Sequence, residues 1–179
     1  MFTGIVQAVG TVSEAGRRLV MDVSGLPYDP PEGGSVAIDG VCLTRVLPGL
    51  AFDLSDETLG RTTLGRLGVA ARVNVEAALR AGDPIGGHFV TGHVDGVGEF
   101  LGSDGEEFRF RAPLGGEKFL VDKGSIAIAG VSLTVVRPVR LEFSVAVIPH
   151  TLSATTLGSL STGDGVNIEY DVLARYVRR

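Results

Sequence analysis

The sequence has few of the residues that mark metal sites, disulfides or nucleic-acid platforms. It contains no tryptophan, one cysteine and three histidines, and aromatic residues make up only 6% of its 179 positions. One cysteine excludes an internal disulfide, and three scattered histidines lack the paired spacing of a structural zinc site. Because stacking on bases needs aromatic side chains, a binding platform for single-stranded nucleic acid is also disfavoured.

Positive charge and long apolar runs are scarce as well. Lys and Arg number 16 against 21 Asp and Glu, which gives a net charge of −5, so phosphate backbones and anionic lipids are poor partners. No apolar run approaches the roughly 20 residues that span a bilayer, and no signal-like segment follows Met1. Serine-hydrolase, dinucleotide-binding and P-loop motifs are missing too. These features predict a soluble, cytoplasmic protein without resident metal.

What the sequence does contain is short alternating runs of Val, Ile, Thr and Phe, separated by turn residues. With 26 glycines and 44% hydrophobic residues, this pattern is typical of an all-β chain with a well-buried core. Helical signals are brief: residues 55–60, where Ser55 and Asp56 suit a cap, residues 149–153, which Pro149 opens, and the C-terminus.

The strongest signal is internal repetition. Residues 34–46 and 124–136 are identical at 9 of 13 positions, at an offset of 90. Three more blocks recur in the same order: TGIVQAVG as TGHVDGVG, TTLG unchanged, and VNVE as VNIE. A period of this length has the size of a domain, so the chain is a duplication. We predict two tandem six-stranded Greek-key β-barrels, residues 1–87 and 88–171, followed by a short helix over 172–179.

The repeated hairpin VCLT, which returns as VSLT, places small polar residues at one phase of a strand. Val41 and Leu43 should face the barrel core, while Cys42 and Thr44 point away from it. In the second copy, Ser132 and Thr134 should likewise point away from the core. Taken alone, such residues are usually part of a half-buried strand. Their presence in both copies favours a pocket.

The second copy also carries a histidine, His93, where the first has Ile5. A strand histidine is more often structural than catalytic, but imidazole is the side chain best suited to moving protons near neutral pH. Asp95, two residues on, would orient the ring or share a metal with it, although no third ligand is apparent and neither His88 nor His150 completes a set. Two similar but unequal pockets suit a reaction between two copies of one molecule.

At this level of detail the chain resembles the riboflavin synthases of the alpha-chain type over nearly its whole length. The motifs that carry the resemblance are MFTGIV, GGSVAIDGVCLT, FDLSDETLGRTTLG, IGGHFVTGHVDG, KGSIAIAGVSLT, IPHTLSATTLG and VNIEYDVLARYV. The resemblance implies tandem Greek-key barrels, a homotrimer and association with lumazine synthase. It also implies a cofactor-free dismutation of two 6,7-dimethyl-8-ribityllumazine molecules, which exchange a four-carbon unit to give riboflavin and 5-amino-6-(ribitylamino)uracil.

The same resemblance assigns residues to two pockets. The first pocket would be lined by Gly4, Ile5, Val6, Ser35, Cys42, Leu43, Thr44, Asp53, Leu54, Ser55, Asp56, Glu57 and Thr58. The second would be lined by Gly92, His93, Val94, Lys123, Ser132, Leu133, Thr134, Ala146, Val147, Ile148, Pro149, His150 and Thr151.

Five of the residues are expected to take part in catalysis. His93 would transfer the proton, Ser132 and Thr134 would hydrogen-bond the ring or activate a nucleophile, Cys42 would contribute a polarisable group, and Asp171 would orient a partner across the subunit interface. Holding two rings in the correct orientation can by itself lower the activation barrier by up to about 7–11 kcal/mol.

Two features depart from the resemblance, and two other functions stay open. Ala129 stands where the first copy has Asp39, which predicts a looser hairpin. The sequence ends at Arg179, which predicts a short C-terminal helix, so the sequence does not decide whether the chain forms a trimer. The alternatives are a non-catalytic lumazine or flavin carrier and a barrel that binds an oligomeric ligand. The presence of Cys42, His93, Ser132 and Thr134 favours the enzyme.

Overall fold

The computed structural model describes residues 1–177, and thirteen strands account for most of its regular structure. The first half contains β1 (Ala8–Glu14), β2 (Arg18–Asp22), β3 (Ser35–Ile38), β4 (Val41–Val46), β5 (Leu50–Asp53) and β6 (Arg72–Ala77). The second half contains β7 (Gly96–Asp104), β8 (Glu107–Arg111), β9 (Ser125–Ile128), β10 (Val131–Thr134), β11 (Val136–Val139), β12 (Glu142–Ala146) and β13 (Gly165–Tyr170).

The first six strands form a closed barrel in the order β1-β2-β5-β4-β3-β6, with all neighbours antiparallel. The other seven form a sheet in the order β10-β9-β13-β7-β8-β12-β11. The second order reproduces the first when β10 and β11 are taken together as the counterpart of β4, interrupted at the buried Val135. Both halves are therefore the predicted Greek-key barrels, but the second has seven strands because its fourth strand is broken.

Residues 1–177 also contain three short α-helices, α1 (Asp56–Arg61), α2 (Pro149–Ala154) and α3 (Val172–Val177), and three 3-10 turns. The Ser55 side chain caps α1 by accepting the Thr58 backbone N–H, and Asp56 and Glu57 favour the positive end of the helix. Pro149 opens α2, where its fixed φ and missing N–H cost nothing. The predicted helical segments are thus confirmed through Val177, and residues 178 and 179 lie outside the described part of the chain.

Strand alternation separates a core face from an outer face, as the sequence predicts. Val41 and Leu43 are each 6% exposed and pack in the first core, whereas Cys42 between them is half-buried and Thr44 is exposed. The same phase places Ser132 on the outer face of the second barrel. No helix within residues 1–177 combines the length and apolar character that a membrane crossing requires.

The two barrels meet through backbone at the tips of their equivalent hairpins. Asp39 and Gly40 have φ values of 44° and 80°, and Ala129 and Gly130 have 46° and 78°, which is the pattern of a type I′ turn. A Cβ on Gly40 would lie 2.7 Å from the Gly130 nitrogen, and one on Gly130 would lie 2.8 Å from the Gly40 nitrogen. The two hairpin tips are therefore related by an approximate twofold axis. The contact between Gly40 and Gly130 leaves no space for a side chain on either residue.

Two asparagines from the repeated VNVE and VNIE blocks tie this contact together. Asn74 donates through Nδ2 to the Ala129 carbonyl at 2.9 Å, and Asn167 donates through Nδ2 to the Asp39 carbonyl at 2.9 Å. In return, the Asn74 Oδ1 accepts the Thr156 N–H at 2.8 Å. These buried amides have their hydrogen-bonding groups satisfied across the barrel interface, so they fix how one barrel sits on the other.

Candidate functional site

The chain that precedes each barrel docks on the outer face of the opposite barrel. Phe2 pairs with Val90 in an antiparallel bridge, and with Ala37 and Ala127 they form a small buried cluster between the barrels. We call residues 1–6 the first arm and residues 89–94 the second arm.

The first arm lies against Ser132. The Ser132 N–H donates to the Gly4 carbonyl at 2.8 Å, and Gly4 has a φ of +76°. A Cβ at residue 4 would lie 2.6 Å from the Ser132 Cβ, so only glycine allows the approach. Val6 continues this contact by packing on the core of the second barrel.

The second arm lies against Cys42 in the same way. The Cys42 N–H donates to the Gly92 carbonyl at 2.9 Å, the φ of Gly92 is +80°, and a Cβ there would lie 2.5 Å from the Cys42 Cβ. Val94 packs on the core of the first barrel.

This crossing changes how the expected residues are grouped within one chain. The resemblance assigns Gly4, Ile5 and Val6 to the pocket of Cys42, and Gly92, His93 and Val94 to the pocket of Ser132. The structure instead places Gly4 beside Ser132 and Gly92 beside Cys42, because each arm crosses to the other barrel. Within one chain this part of the grouping is therefore wrong: the arm that carries His93 docks beside Cys42, and the arm that carries Ile5 docks beside Ser132. We call these two arrangements the first and the second constellation.

Each arm is held by a buried glutamate that is absent from the expected site residues. Glu76 accepts the backbone N–H groups of Thr3 and Gly4 at 2.8 and 3.1 Å. Glu169 does the same for Thr91 and Gly92 at 2.7 and 2.9 Å. The sequence does carry a signal for them, since both glutamates end the repeated VNVE and VNIE blocks.

Burial raises the pKa of the Glu76 carboxyl, and the hydrogen bonds from Thr3 and Gly4 oppose that rise. A carboxylate that accepts several backbone N–H groups is bound more strongly than a neutral acceptor would be. The glutamates therefore fix the position of each arm, and with it the residue that follows the clamped glycine. That residue is Ile5 on one arm and His93 on the other.

The remaining expected residues of the first barrel lie on the strands next to β4 and in the segment that leads into α1. Ser35 pairs with Thr44 across β3 and β4, and β4 pairs with β5, which leads through Asp53 and Leu54 into α1. Leu43 and Leu54 are buried in the core rather than available to a ligand. The exposed Asp53 forms an ion pair with Arg18 at 3.3 Å.

The second barrel repeats this arrangement around Ser132. Ser125 pairs with Thr134, and β12 runs through Ala146 and the buried Val147 into α2, where Ile148 is 54% exposed. Lys123 adopts a φ of 62°, a left-handed conformation that lysine rarely takes.

His93 is exposed, and its backbone N–H donates to the Thr91 Oγ1 at 3.3 Å. Asp95 does not orient the His93 ring: its side chain accepts the Tyr170 backbone N–H at 2.9 Å and pairs with Arg175 at 2.5 Å. Asp171 accepts the Leu173 N–H at 2.9 Å at the start of α3. Among residues 1–177, no three His, Cys, Asp or Glu side chains are grouped as metal ligands.

His88, which is not among the expected site residues, is the histidine that contacts one of them. Its Nδ1 lies 2.7 Å from the Ser132 Oγ. Within residues 1–177, no side chain hydrogen-bonds the thiol of Cys42, the counterpart of Ser132. The serine and the cysteine therefore have different surroundings although their backbones are equivalent.

Comparison with known proteins agrees with this duplicated arrangement. The family model of the lumazine binding domain matches twice, over residues 3–78 and 91–171. A protein of Mycobacterium tuberculosis named riboflavin synthase is 42% identical over 197 residues, which cover 100% of this chain and 97% of that protein. The chain belongs to the riboflavin synthase family. A family member from Chlamydia muridarum is 40% identical over 187 residues, covering 98% and 92% of the two chains. Members of the riboflavin synthase family are enzymes, and so is this chain.

Solved structures confirm the fold. The crystal structure of LumP complexed with riboflavin superposes with a TM-score of 0.79 at 24% identity and covers 95% of this chain and 99% of LumP. The complex of LumP with 6,7-dimethyl-8-(1'-D-ribityl) lumazine gives a TM-score of 0.77 at 23% identity, covering 94% and 98%. Tandem barrels are therefore the architecture of this chain.

Proposed function

We propose that the chain catalyses the dismutation of 6,7-dimethyl-8-ribityllumazine. One molecule gives up a four-carbon unit and becomes 5-amino-6-(ribitylamino)uracil, and the other accepts it and becomes riboflavin. The observation that carries this proposal is the pair of constellations with equivalent backbones and different side chains. Two copies of one substrate need two equal recognition surfaces, and their opposite fates need unequal chemistry.

The side chains fit the two roles. The C7 methyl group of the lumazine is acidic, because its carbanion delocalises into the ring, so a modest base removes its proton. His93 is exposed and follows Gly92, which Glu169 holds beside Cys42, and we assign the proton transfer to its imidazole. Ser132 and Thr134 offer hydroxyl groups to the second ring. Holding both rings in register supplies much of the acceleration.

The reacting pair lies between subunits in this proposal. One lumazine occupies the first barrel of one subunit and the other occupies the second barrel of its neighbour in a homotrimer. Exposed apolar side chains support an assembly: Ile148 beside the second constellation, and Leu173 and Val177 on α3, are 54%, 57% and 81% exposed. Burial of such side chains against a neighbour is favourable. We also propose that the trimer associates in the cytoplasm with lumazine synthase, the enzyme that would supply its substrate.

A non-catalytic lumazine or flavin carrier is the second candidate, and the structural likeness to LumP is the observation that favours it. A carrier needs one occupied barrel and no proton transfer. The retention of His93, Cys42, Ser132 and Thr134 supports the enzyme.

Incubation of the purified protein with the lumazine alone separates these candidates. The enzyme produces yellow-green flavin fluorescence, with half a mole of riboflavin formed per mole of lumazine consumed. A carrier binds the lumazine and forms no riboflavin. Sedimentation with and without lumazine synthase tests the assembly, and an active monomer would exclude the intersubunit arrangement.

A further inference from the structure

His88 and Ser132 form a hydrogen-bonded pair on the outer face of the second barrel. The Nδ1 of His88 lies 2.7 Å from the Ser132 Oγ, and the ring is only partly accessible. The other ring nitrogen, Nε2, is buried and has no hydrogen-bond partner within residues 1–177. An unpaired buried polar atom is costly, so its position calls for a physical explanation.

The local backbone is built to allow this pair. The His88 backbone N–H donates to the Thr3 carbonyl at 3.0 Å, and this hydrogen bond fixes His88 against the first arm. A Cβ on Gly87 would lie 2.1 Å from the Thr3 oxygen and 2.8 Å from the Ser132 Oγ, so any side chain at residue 87 would separate His88 from Ser132. Gly87 thus allows the imidazole of His88 to approach the Ser132 hydroxyl.

The unpaired Nε2 indicates which nitrogen carries the proton. If Nε2 carried it, the chain would bury an N–H donor without an acceptor, which is the rarer and costlier case. If Nδ1 carries it, Nε2 is only an unfilled acceptor, and the Nδ1–H donates to the Ser132 oxygen. The Ser132 hydroxyl hydrogen is then free to donate away from His88.

The charge state of the ring agrees with this geometry. Burial lowers the pKa of His88, and the nearby carboxyl groups of Asp171 and Glu169 oppose that change. A neutral imidazole is the form in which the choice between the two nitrogens arises.

We propose that His88 is a positioning residue that holds Ser132 as a hydrogen-bond donor toward an acceptor atom on the bound ring in the second barrel. This rests on the proposed function for the identity of the ring, a lumazine or flavin with carbonyl and imine acceptors. It also explains the exchange of cysteine for serine between the copies: a thiol is a weak hydrogen-bonding group, and only Ser132 has a histidine to orient it.

The first experiment reads the tautomer directly. Nitrogen-15 NMR of the full chain with labelled histidine should show His88 neutral at pH 7 with the proton on Nδ1. Loss of the His88 signals in H88N assigns them. A proton on Nε2 in the free protein would overturn the proposal, because Nδ1 would then accept the Ser132 hydrogen.

The second experiment measures riboflavin affinity by quenching of its fluorescence, with H88A, H88N and S132A. The Asn amide N–H takes the place of Nδ1–H, so H88N should retain affinity, while H88A should lose about 5- to 30-fold, as expected for one hydrogen bond. H88A/S132A should bind no more weakly than S132A. Equal losses in H88A and H88N, or additive losses in the double variant, would contradict the positioning role.

Two controls keep the test separate from protein stability and from the proposed function. S13A, an exposed serine on β1, should leave affinity unchanged, and thermal unfolding of every variant identifies a folding defect. If the wild type forms no riboflavin from lumazine, the proposed function fails, yet the tautomer and the affinity series still decide whether His88 positions Ser132.

Discussion

The two barrels share a strand order and a crossed arm but differ in the side chains around the crossing. On the first barrel, His93 follows the glycine that contacts Cys42. On the second, Ile5 follows the glycine that contacts Ser132, and His88 hydrogen-bonds Ser132. The backbone hydrogen bonds around both sets are nearly the same length. Duplication has therefore preserved the backbone contacts between arm and barrel, while several side chains beside those contacts differ.

The barrel interiors differ as well. The second core contains a run of stacked or tilted rings, Phe100, Phe108, Phe110 and Phe143, with centroids 5.2–5.9 Å apart. The first core is aliphatic apart from Phe52. Rings fill more volume per residue and add a specific geometry to apolar burial. Equivalent outer surfaces thus cover differently packed cores. The contacts between arm and barrel therefore do not depend on one particular core packing.

The largest expected effect comes from closing the space between an arm and a barrel. G4A and G92A each combine a left-handed φ with a Cβ within 2.6 Å of the facing residue. We expect a loss of about 2 to 5 kcal/mol in the free energy of unfolding, from backbone strain and overpacking together. Urea denaturation measures it.

Gly49 provides the matched control for that pair, since its φ is +74° and a Cβ added to it would have nothing within 4 Å. G49A should lose only the strain part, about 1 to 2 kcal/mol. If G49A and G4A are equally destabilised, close approach is not what requires glycine on the arm.

The next largest effect concerns the glutamates that hold the arms. E76Q and E169Q each replace a carboxylate that accepts two backbone N–H groups with an amide that has a single acceptor oxygen. A buried N–H left unpaired costs about 1 to 3 kcal/mol, and this is the expected loss in each variant. Hydrogen exchange at Gly4 and Gly92 should locate the loss on the corresponding arm. E142Q removes one partner of an exposed ion pair and should change the free energy of unfolding by less than about 1 kcal/mol. If E142Q destabilises the protein as much as E76Q and E169Q do, the two buried glutamates do not hold the arms.

Asp39 distinguishes the two hairpin tips, because its counterpart is Ala129. Burial raises the pKa of Asp39 from 3.8 to about 7, while the Asn74 backbone N–H opposes the rise. The folded state therefore holds a proton that the unfolded state releases, so the stability from this group is full below about pH 4 and is lost as pH rises toward 7. Relative to D39N, the free energy of unfolding should fall by up to about 1.4 kcal/mol per pH unit in this window.

Denaturation of the wild type and D39N at several pH values tests this slope. D104N, an exposed acid on β7, serves as the control and should run parallel to the wild type. Parallel curves for D39N as well would mean that Asp39 does not take up a proton on folding.

The smallest expected effect, and the sharpest test of asymmetry, exchanges the two equivalent side chains. S132C weakens the contact with His88, so riboflavin formation should fall about tenfold, whereas C42S disturbs no side-chain hydrogen bond and should cost less. Initial rates of flavin formation measure both variants. A larger loss in C42S than in S132C would reverse the roles assigned to the two barrels.

Much of this architecture could be predicted from the sequence, since the repeated blocks indicate two barrels and strand alternation places Cys42 and Ser132 outside the cores. The cap at Ser55 and the proline at residue 149 locate α1 and α2 for local reasons. The crossing of the arms could not be predicted, because a repeat defines equivalent segments but not the copy on which an unpaired segment packs. The role of His88 is hidden for a similar reason: its partner Ser132 is 44 positions away, and no local pattern links them.

The contact between Gly40 and Gly130 has a consequence for how the two copies evolve. Many equivalent positions have acquired a new side chain on one side only, as Asp39 and Ala129 have done next to it. At the tips themselves, a methyl group on either residue would push the partner's backbone away and tilt one half of the molecule relative to the other. The symmetry of the chain is thus preserved at a point that cannot accommodate a side chain on either copy.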